Sequence, residues 1–283
     1  MNSALLNNGK IITAREYNAD SHGNRLFCMD CRAPVVFVTG TENSSPYFKT
    51  TGKSNEGKHK PSCGFFKPLT FSETLKKVEE YQGEFLEKDK GIKETIIKIN
   101  LNKIDPDYES ASLNNEEKQL KNKTDSNEIK IKQDSQTPST VSSLRSMVKL
   151  LTSYEPDILS TIIVDVKGNK IPLSSLIVDQ EKAHRMLWQD EIIDKIGYFV
   201  HGTVEKVIRR DKVIYIVLKP LNNVLFSLVI FDKYFKHFTY TDAELVGKKV
   251  LSYGHLKKNS FKDKNTREMS IKSNKYLEFI NNL

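Results

Sequence analysis

Cys28-Met-Asp-Cys31 and, 27 residues further on, His59-Lys-Pro-Ser-Cys63 are the residues whose types and spacing best suit chemistry. A C-x2-C turn delivers two thiolates from one knuckle, and H-x3-C delivers an imidazole and a thiolate from another. A zinc ion accepts such a set as a tetrahedron. All three cysteines of the chain fall in this pattern. Four protein ligands leave no open coordination position, so the expected role is structural, with Zn2+ holding a small N-terminal module. His22 lies close to the first knuckle and is a spare candidate ligand. The plainer account is three reduced thiols packed as small hydrophobes beside a surface histidine. A redox C-x2-C is disfavoured because no βαβ pattern surrounds it.

Catalytic arrangements are harder to find. A restriction-type nuclease holds a divalent ion with an acidic residue after proline and a later (Asp/Glu)-x-Lys on a strand. Pro106-Asp107 precedes Glu116-Glu117-Lys118, but in a polar stretch with no strand to carry it. Pro156-Asp157 precedes Asp165-Val166-Lys167, yet only seven residues separate the two acids. A helix-to-strand connection followed by a hairpin accounts better for that stretch. There is no Gly-rich phosphate loop and no Ser-His-Asp arrangement, and His184, His201, His237 and His255 are scattered. No catalytic set is assigned.

Charge gives a second lead. The net charge is +8, and from Gly197 onward 16 Lys and Arg stand against 8 Asp and Glu, an excess equal to that of the whole chain. A basic segment suits a polyanionic partner. Arg209, Arg210 and Lys212 cluster at one expected hairpin, and Lys257, Lys258, Lys262 and Lys264 around another. In KVIYIVLK, strand alternation puts Ile214, Ile216 and Leu218 on one face and Val213, Tyr215 and Val217 on the other. The aliphatic face should fill a core, leaving Tyr215 outward to stack on a base. Tyr253 and Phe261 are further candidates. The bland account is core aromatics and solvated lysines.

These residues need elements to position them. PVVFVTG and SPYFKT read as a hairpin between the two knuckles, and Ser72 to Lys90 as a helix capped by Ser72. Residues 96–143 hold a run of Asn, Lys, Glu, Gln, Ser and Thr with almost no aromatics and are expected to form a disordered linker. Residues 144–196 read as a helix, a hairpin around Lys167-Gly-Asn-Lys170 and a second helix. From 197 to 283, five strand runs with an irregular excursion between the third and fourth match the OB-fold plan, a small Greek-key barrel. The expected fold class is therefore α+β and multi-domain. A zinc-stabilised module (1–95) is followed by a linker (96–143), a connector (144–196) and a five-stranded OB-fold β-barrel (197–283). Residues 1–20 contain no apolar signal region and no run of 18 apolar residues exists, so a cytoplasmic protein without a membrane helix is expected.

Two resemblances add to this. RLFCMDCRAPVVFVTG…SPYFKTTG…HKPSC resembles the zinc-binding region of competence protein CoiA-like proteins, with Cys28, Cys31, His59 and Cys63 in the matching positions. Tyr47 stands where that family has a histidine, so only the metal-binding skeleton carries over. The resemblance implies a DNA partner and, in that family, a nuclease-like domain. GTVEKV…VIYIVL…LVGKKVLSYGHLKKN…EMSIKSNKYLEFI resembles OB-fold nucleic-acid-binding domains. The expected function is a zinc-containing protein that binds nucleic acid, single-stranded DNA above all, through a basic OB-fold surface. A metal-dependent DNA nuclease of the CoiA-like type and an adaptor for a protein partner are the alternatives.

Overall fold

The computed structural model describes residues 1–42, 44–52, 57–88, 94–108, 139–166, 168–193, 195–261 and 264–280. The N-terminal part is an antiparallel sheet of β1 (Ser3–Leu6), β2 (Ile11–Thr13), β3 (Leu26–Phe27), β4 (Pro34–Val38) and β5 (Tyr47–Thr50), in the order β2-β1-β3-β4-β5. Gly9, with φ of +82°, closes the β1–β2 hairpin in a left-handed conformation that a β-carbon would strain. A single turn, α1 (Ala19–His22), is capped by Asn18. The long helix α2 (Phe71–Lys88) follows the second knuckle. Its cap is Thr70, whose N–H donates to Glu73 Oε2 at 2.8 Å and whose Oγ1 accepts from the Glu73 N–H at 3.4 Å. The expected cap, Ser72, instead lies inside the first turn, because Thr70 with Glu73 three residues on forms the reciprocal pair. Val78 and Tyr81 supply the buried stripe of α2.

A central sheet combines β6 (Thr95–Ile99), β7 (Ser139–Val141), β8 (Ile162–Val166) and β9 (Asn169–Pro172) in the order β7-β6-β8-β9. β6 runs parallel to both neighbours and β8–β9 is the hairpin expected around Gly168. Between β7 and β8 lie α3 (Leu144–Ser153), closed by a Ser143–Ser146 capping box, and α4 (Pro156–Leu159). Within the stretch read as a linker, Ile97, Leu101, Ile104 and Val141 are buried, and residues 109–138 lie outside the described residues. After β9 come α5 (Leu173–Leu176), β10 (Ile177–Val178) and α6 (Gln180–Trp188).

The C-terminal part is built on β11 (Tyr198–Arg210), β12 (Val213–Leu221) and β13 (Val224–Phe231), a meander of long antiparallel strands. The β12–β13 turn places Asn222 and Asn223 at φ of +47° and +63°, the conformation a two-residue hairpin loop needs and asparagine tolerates. After α7 (Asp242–Leu245) come β14 (Lys249–Gly254), β15 (Leu256–Phe261), β16 (Lys264–Ser270) and β17 (Leu277–Phe279). The hydrogen-bonded order is β15-β16-β13-β12-β11-β14-β17, with β10 added beside β11.

The fold is thus mixed α and β, with three sheets among the described residues, none closed into a barrel. The closed five-stranded barrel expected from the sequence differs here for a local reason. The expected fourth strand, Lys249–Lys257, is interrupted at His255, so its halves pair with different neighbours, β14 with β11 and β15 with β16. One hydrophobic core joins the central and C-terminal sheets, running from Ile97, Leu150 and Val164 to Phe199, Leu251 and Leu277. No helix among the described residues is long and apolar enough to cross a membrane.

Candidate metal centre and basic sheet face

The first knuckle follows β3. The Cys28 N–H donates to the Ala33 carbonyl at 2.8 Å and the Arg32 N–H to the Cys28 carbonyl at 3.1 Å. Arg32 closes this turn at φ of +64°, which lets the chain reverse within the C-x2-C span. At the second knuckle the Cys63 N–H donates to the Lys60 carbonyl at 2.9 Å, and the Phe65 N–H reaches Cys63 Sγ at 3.4 Å. The strands β4 and β5, paired from Val35–Thr50 to Val38–Tyr47, span the intervening sequence as the expected hairpin.

These turns bring the Sγ atoms of Cys28, Cys31 and Cys63 and a ring nitrogen of His59 within 4.8 Å of one another. Cys28 Sγ is 3.7 Å from Cys63 Sγ, and His59 Nδ1 is 3.5 Å from the Sγ atoms of both Cys31 and Cys63. All three cysteines are buried and reduced, while His59 is partly exposed. The proximity of the thiols has a cost in protons. Hydrogen bonding with Cys63 brings the Cys28 thiol down to about 5 against the opposing effect of burial, and the same contact pushes Cys63 up. A divalent cation at the centre would relieve that conflict, since the thiolates and the imidazole would then all face one positive ion. The donor set is compatible with a metal site. His22 is not part of it: its Nδ1 accepts the Asn18 N–H at 3.0 Å and its ring stacks near Tyr17.

Asp30, inside the first knuckle, ties the cluster together. Its Oδ2 accepts the Gly64 N–H and the Tyr81 hydroxyl, each at 2.8 Å, and lies 3.3 Å from Lys77 Nζ. Burial would raise this carboxyl, but those three donors outweigh it and hold Asp30 below the usual carboxylate range. The Tyr81 hydroxyl is held protonated by burial and the neighbouring Asp30 charge. Both knuckles are therefore anchored to α2 through one carboxylate. C-x2-C spacing alone gives no hint of this role for Asp30.

The carboxylates considered for a nuclease are otherwise engaged. Asp157 is fully buried, and its Oδ2 accepts the N–H groups of Asn2 and Ser3 at 2.7 and 2.8 Å. Asp165 accepts the Gly168 N–H at 2.9 Å in the β8–β9 turn, and Lys167 lies outside the described residues. Asp107 bonds to Tyr234 and to Lys272, while Glu116, Glu117 and Lys118 lie outside the described residues.

The basic candidates divide. Arg209 is committed to Asp242 Oδ1 at 2.8 Å and the Tyr240 carbonyl at 2.7 Å. Lys258 reaches Asp190 at 3.1 Å and lies over the Trp188 ring. Tyr253 packs at 4.8 Å on Phe199, and a β-carbon on Gly197 would meet its ring at 2.4 Å, so it is wedged and not a free platform. Lys262 and the side chains of Phe261 and Lys264 lie outside the described set. Arg210, Lys212 and Lys257 are exposed, and Tyr215 is half-exposed with the Arg210 guanidinium 5.8 Å from its ring centre.

Strand register arranges these survivors. Directly paired residues form cross-sheet rows on one face. One row is Lys206–Val217–Ser227–Glu268–Lys257, the next is Ile208–Tyr215–Val229–Ser270, and a third is Arg210–Val213–Phe231. Ile214, Ile216, Leu218, Phe226 and Leu228 occupy the opposite, buried face, as the alternation predicts. The β11–β12 turn and the Phe261–Lys264 end of the β15–β16 pair lie toward opposite ends of the β12–β13 pair, because β16 runs parallel to β13 from its Val224 end. They do not merge into one patch but flank this sheet face. Lys206 and Phe231 belong to the face and were not singled out from sequence. The irregularity in the β11–β12 register between Val204 and Lys206 sets the side on which Lys206 emerges.

Residues 1–81 match a family model described as a domain of unknown function, DUF7828. The matched segment contains all four cluster residues together with Asp30, Lys77 and Tyr81. No curated protein matches the chain.

Proposed function

We propose that the chain is a zinc-containing protein that binds single-stranded nucleic acid, DNA in preference, on the outer face of β11, β12, β13, β16 and β15. Zinc is favoured by the spacing of the donors. A tetrahedral ion about 2.3 Å from sulfur and about 2.0 Å from nitrogen sets two sulfurs about 3.8 Å apart and sulfur and nitrogen about 3.5 Å apart. The 3.7 and 3.5 Å separations agree with those edges. With four protein ligands the ion has a structural role, holding the N-terminal sheet against α2.

The observation that carries the binding reading is the row pattern. Lys206, Arg210, Tyr215 and Lys257 share one side of the sheet, so cations for phosphates and an aromatic face for a base lie on one surface. Non-specific single-strand binders combine those two features. The strand connections support an OB-like plan: the first strand pairs with the second and fourth, and the third runs parallel to the fifth. On this plan β14 and β15 are one bent fourth strand, and the kink at His255 is where a barrel would close. The resemblance of the cysteine and histidine skeleton to CoiA-like proteins favours DNA as the polyanion.

Fluorescence anisotropy with labelled single-stranded and duplex DNA at two salt concentrations tests this. Salt-sensitive binding with a single-strand preference is expected. Tyr215→Ala should cost about 1–3 kcal/mol of affinity through lost stacking. Charge reversal at Lys206, Arg210 and Lys257 should weaken binding and flatten its salt dependence. Absence of binding at low salt would refute the reading.

A further inference from the structure

A polar cleft shares no lining residue with the cluster or with that sheet face. It is a cavity of about 570 Å3 between the first turns of α2, the N-terminus of α6, β11, β14 and the β12–β13 turn. Thr203 on β11 is paired with Lys249 on β14, and His201 follows two residues along on the same side. His201 is 8% exposed, and among the described residues no hydrogen bond engages its ring nitrogens, which still face the cavity. Among the described residues its ring meets the edge of Phe71, 5.4 Å between centres. An imidazole so deeply buried normally satisfies its polar atoms. Lining the cavity, it is left with unused hydrogen-bonding capacity.

Lys249 brings a charge to the same cleft. Its Nζ donates to Ser72 Oγ at 2.9 Å and lies 5.5 Å from the Phe71 ring centre, and no carboxylate among the described residues pairs with it. Burial lowers the Lys249 ammonium and holds His201 down at about 4, so near neutrality the imidazole is uncharged. The acids lining the cleft are already engaged. Glu79 pairs with Lys182 at 2.8 Å, Asp179 accepts the Lys182 N–H at 2.8 Å, and Glu181 accepts from Asn222 at 2.9 Å. What remains is Lys249 without a carboxylate partner, the exposed Lys76 and Lys219, two hydroxyls and a neutral imidazole, gathered beside the first turns of α2. The complement of that set is an anion with several acceptor oxygens.

We infer that this cleft binds a phosphate group carried by a small molecule of mononucleotide size, with Lys249, Ser72, Thr203 and His201 as its ligands. Lys249 supplies the charge, and the neutral imidazole donates one hydrogen bond. Leu75 and Ile177 give the rest of such a molecule an apolar wall within the available volume. The cleft shares no lining residue with the proposed nucleic-acid face, so the two can succeed or fail separately.

Isothermal titration of the full chain with inorganic phosphate, a nucleoside 5′-monophosphate and the unphosphorylated nucleoside tests the assignment. Saturable binding of both phosphates and none of the nucleoside is expected. Lys249→Gln should weaken phosphate binding about tenfold or more while leaving oligonucleotide affinity unchanged. If Lys249→Gln fails to fold, the wild-type protein still decides the matter. The ring 15N resonance that His201→Gln removes should shift on phosphate addition. No saturable phosphate binding, unaltered affinity in a folded Lys249→Gln protein, or an unmoved His201 resonance at saturation would each overturn the assignment.

Discussion

Removing the metal, by chelation or by Cys28→Ser, is the perturbation with the largest expected effect. Cys28 Sγ and Cys63 Sγ are 3.7 Å apart in a buried setting. Two thiolates at that distance repel by about 4–5 kcal/mol at an effective dielectric constant of about 20. The metal-free cluster must therefore take up a proton or open. Structural zinc supplies an apparent binding energy of about 10–16 kcal/mol at neutral pH in zinc-finger peptides, against a total domain stability of about 5–15 kcal/mol. The three cysteines also belong to the same core as Ala4, Leu26, Val35 and Phe48, so the loss spreads beyond the ligands. One zinc per chain is expected by elemental mass spectrometry. Chelation should abolish the cooperative unfolding of the N-terminal sheet and expose its amides to hydrogen exchange. Cobalt substitution should give a thiolate charge-transfer band that Cys28→Ser weakens. A chain that carries no metal after expression with zinc, and whose melting is the same with and without chelator, would refute the reasoning.

Asp157 offers a pH test. Burial, with a smaller contribution from Glu155, raises its carboxyl to about 6 from an ordinary value near 3.8, against the N-terminal ammonium and the Ser3 and Asn2 N–H donors that favour the charge. The folded state then holds the proton more tightly than the unfolded one. Stability should fall as pH rises from about 4 to about 6 and level off above, by on the order of 3 kcal/mol. Asp157→Asn should flatten that window in denaturant titrations, and equal pH profiles for the two proteins would count against it. Asp30→Ala leaves the Gly64 N–H and the Tyr81 hydroxyl without their acceptor and should destabilise the chain by about 1–3 kcal/mol. Metal retention with unchanged melting would show that Asp30 does not anchor the cluster. Gly197→Ala drives a β-carbon to within 2.4 Å of the Tyr253 ring and should cost about 1–3 kcal/mol; a neutral effect on the unfolding midpoint would mean that the ring moves freely.

Some of this molecule was readable from local pattern. The Cys28, Cys31, His59 and Cys63 cluster was legible because each knuckle is a short-range turn whose spacing constrains where the sulfurs can go. The alternation of Ile214, Ile216 and Leu218 against Tyr215 was legible because a strand has a period of two. Other features depend on residues far apart in sequence. Asp30 joins the two knuckles to Lys77 and Tyr81 on α2, and Asp157 meets the amides of Asn2 and Ser3 across more than 150 residues. Ile97 and Val141 flank a polar stretch whose average composition hid two short apolar segments. Arg209 and Lys258 look like free cations in sequence, but Asp242 and Asp190 reach them only after folding. The sequence by itself determined the residue types of the cluster, the strand faces and the basic charge of the C-terminal part. Only the tertiary structure decided which cations stay free, which carboxylates are spent, and that His201 and Lys249 share a cleft. Charge and hydrogen-bond pairing are settled by neighbours in space, which the order of residues along the chain does not record.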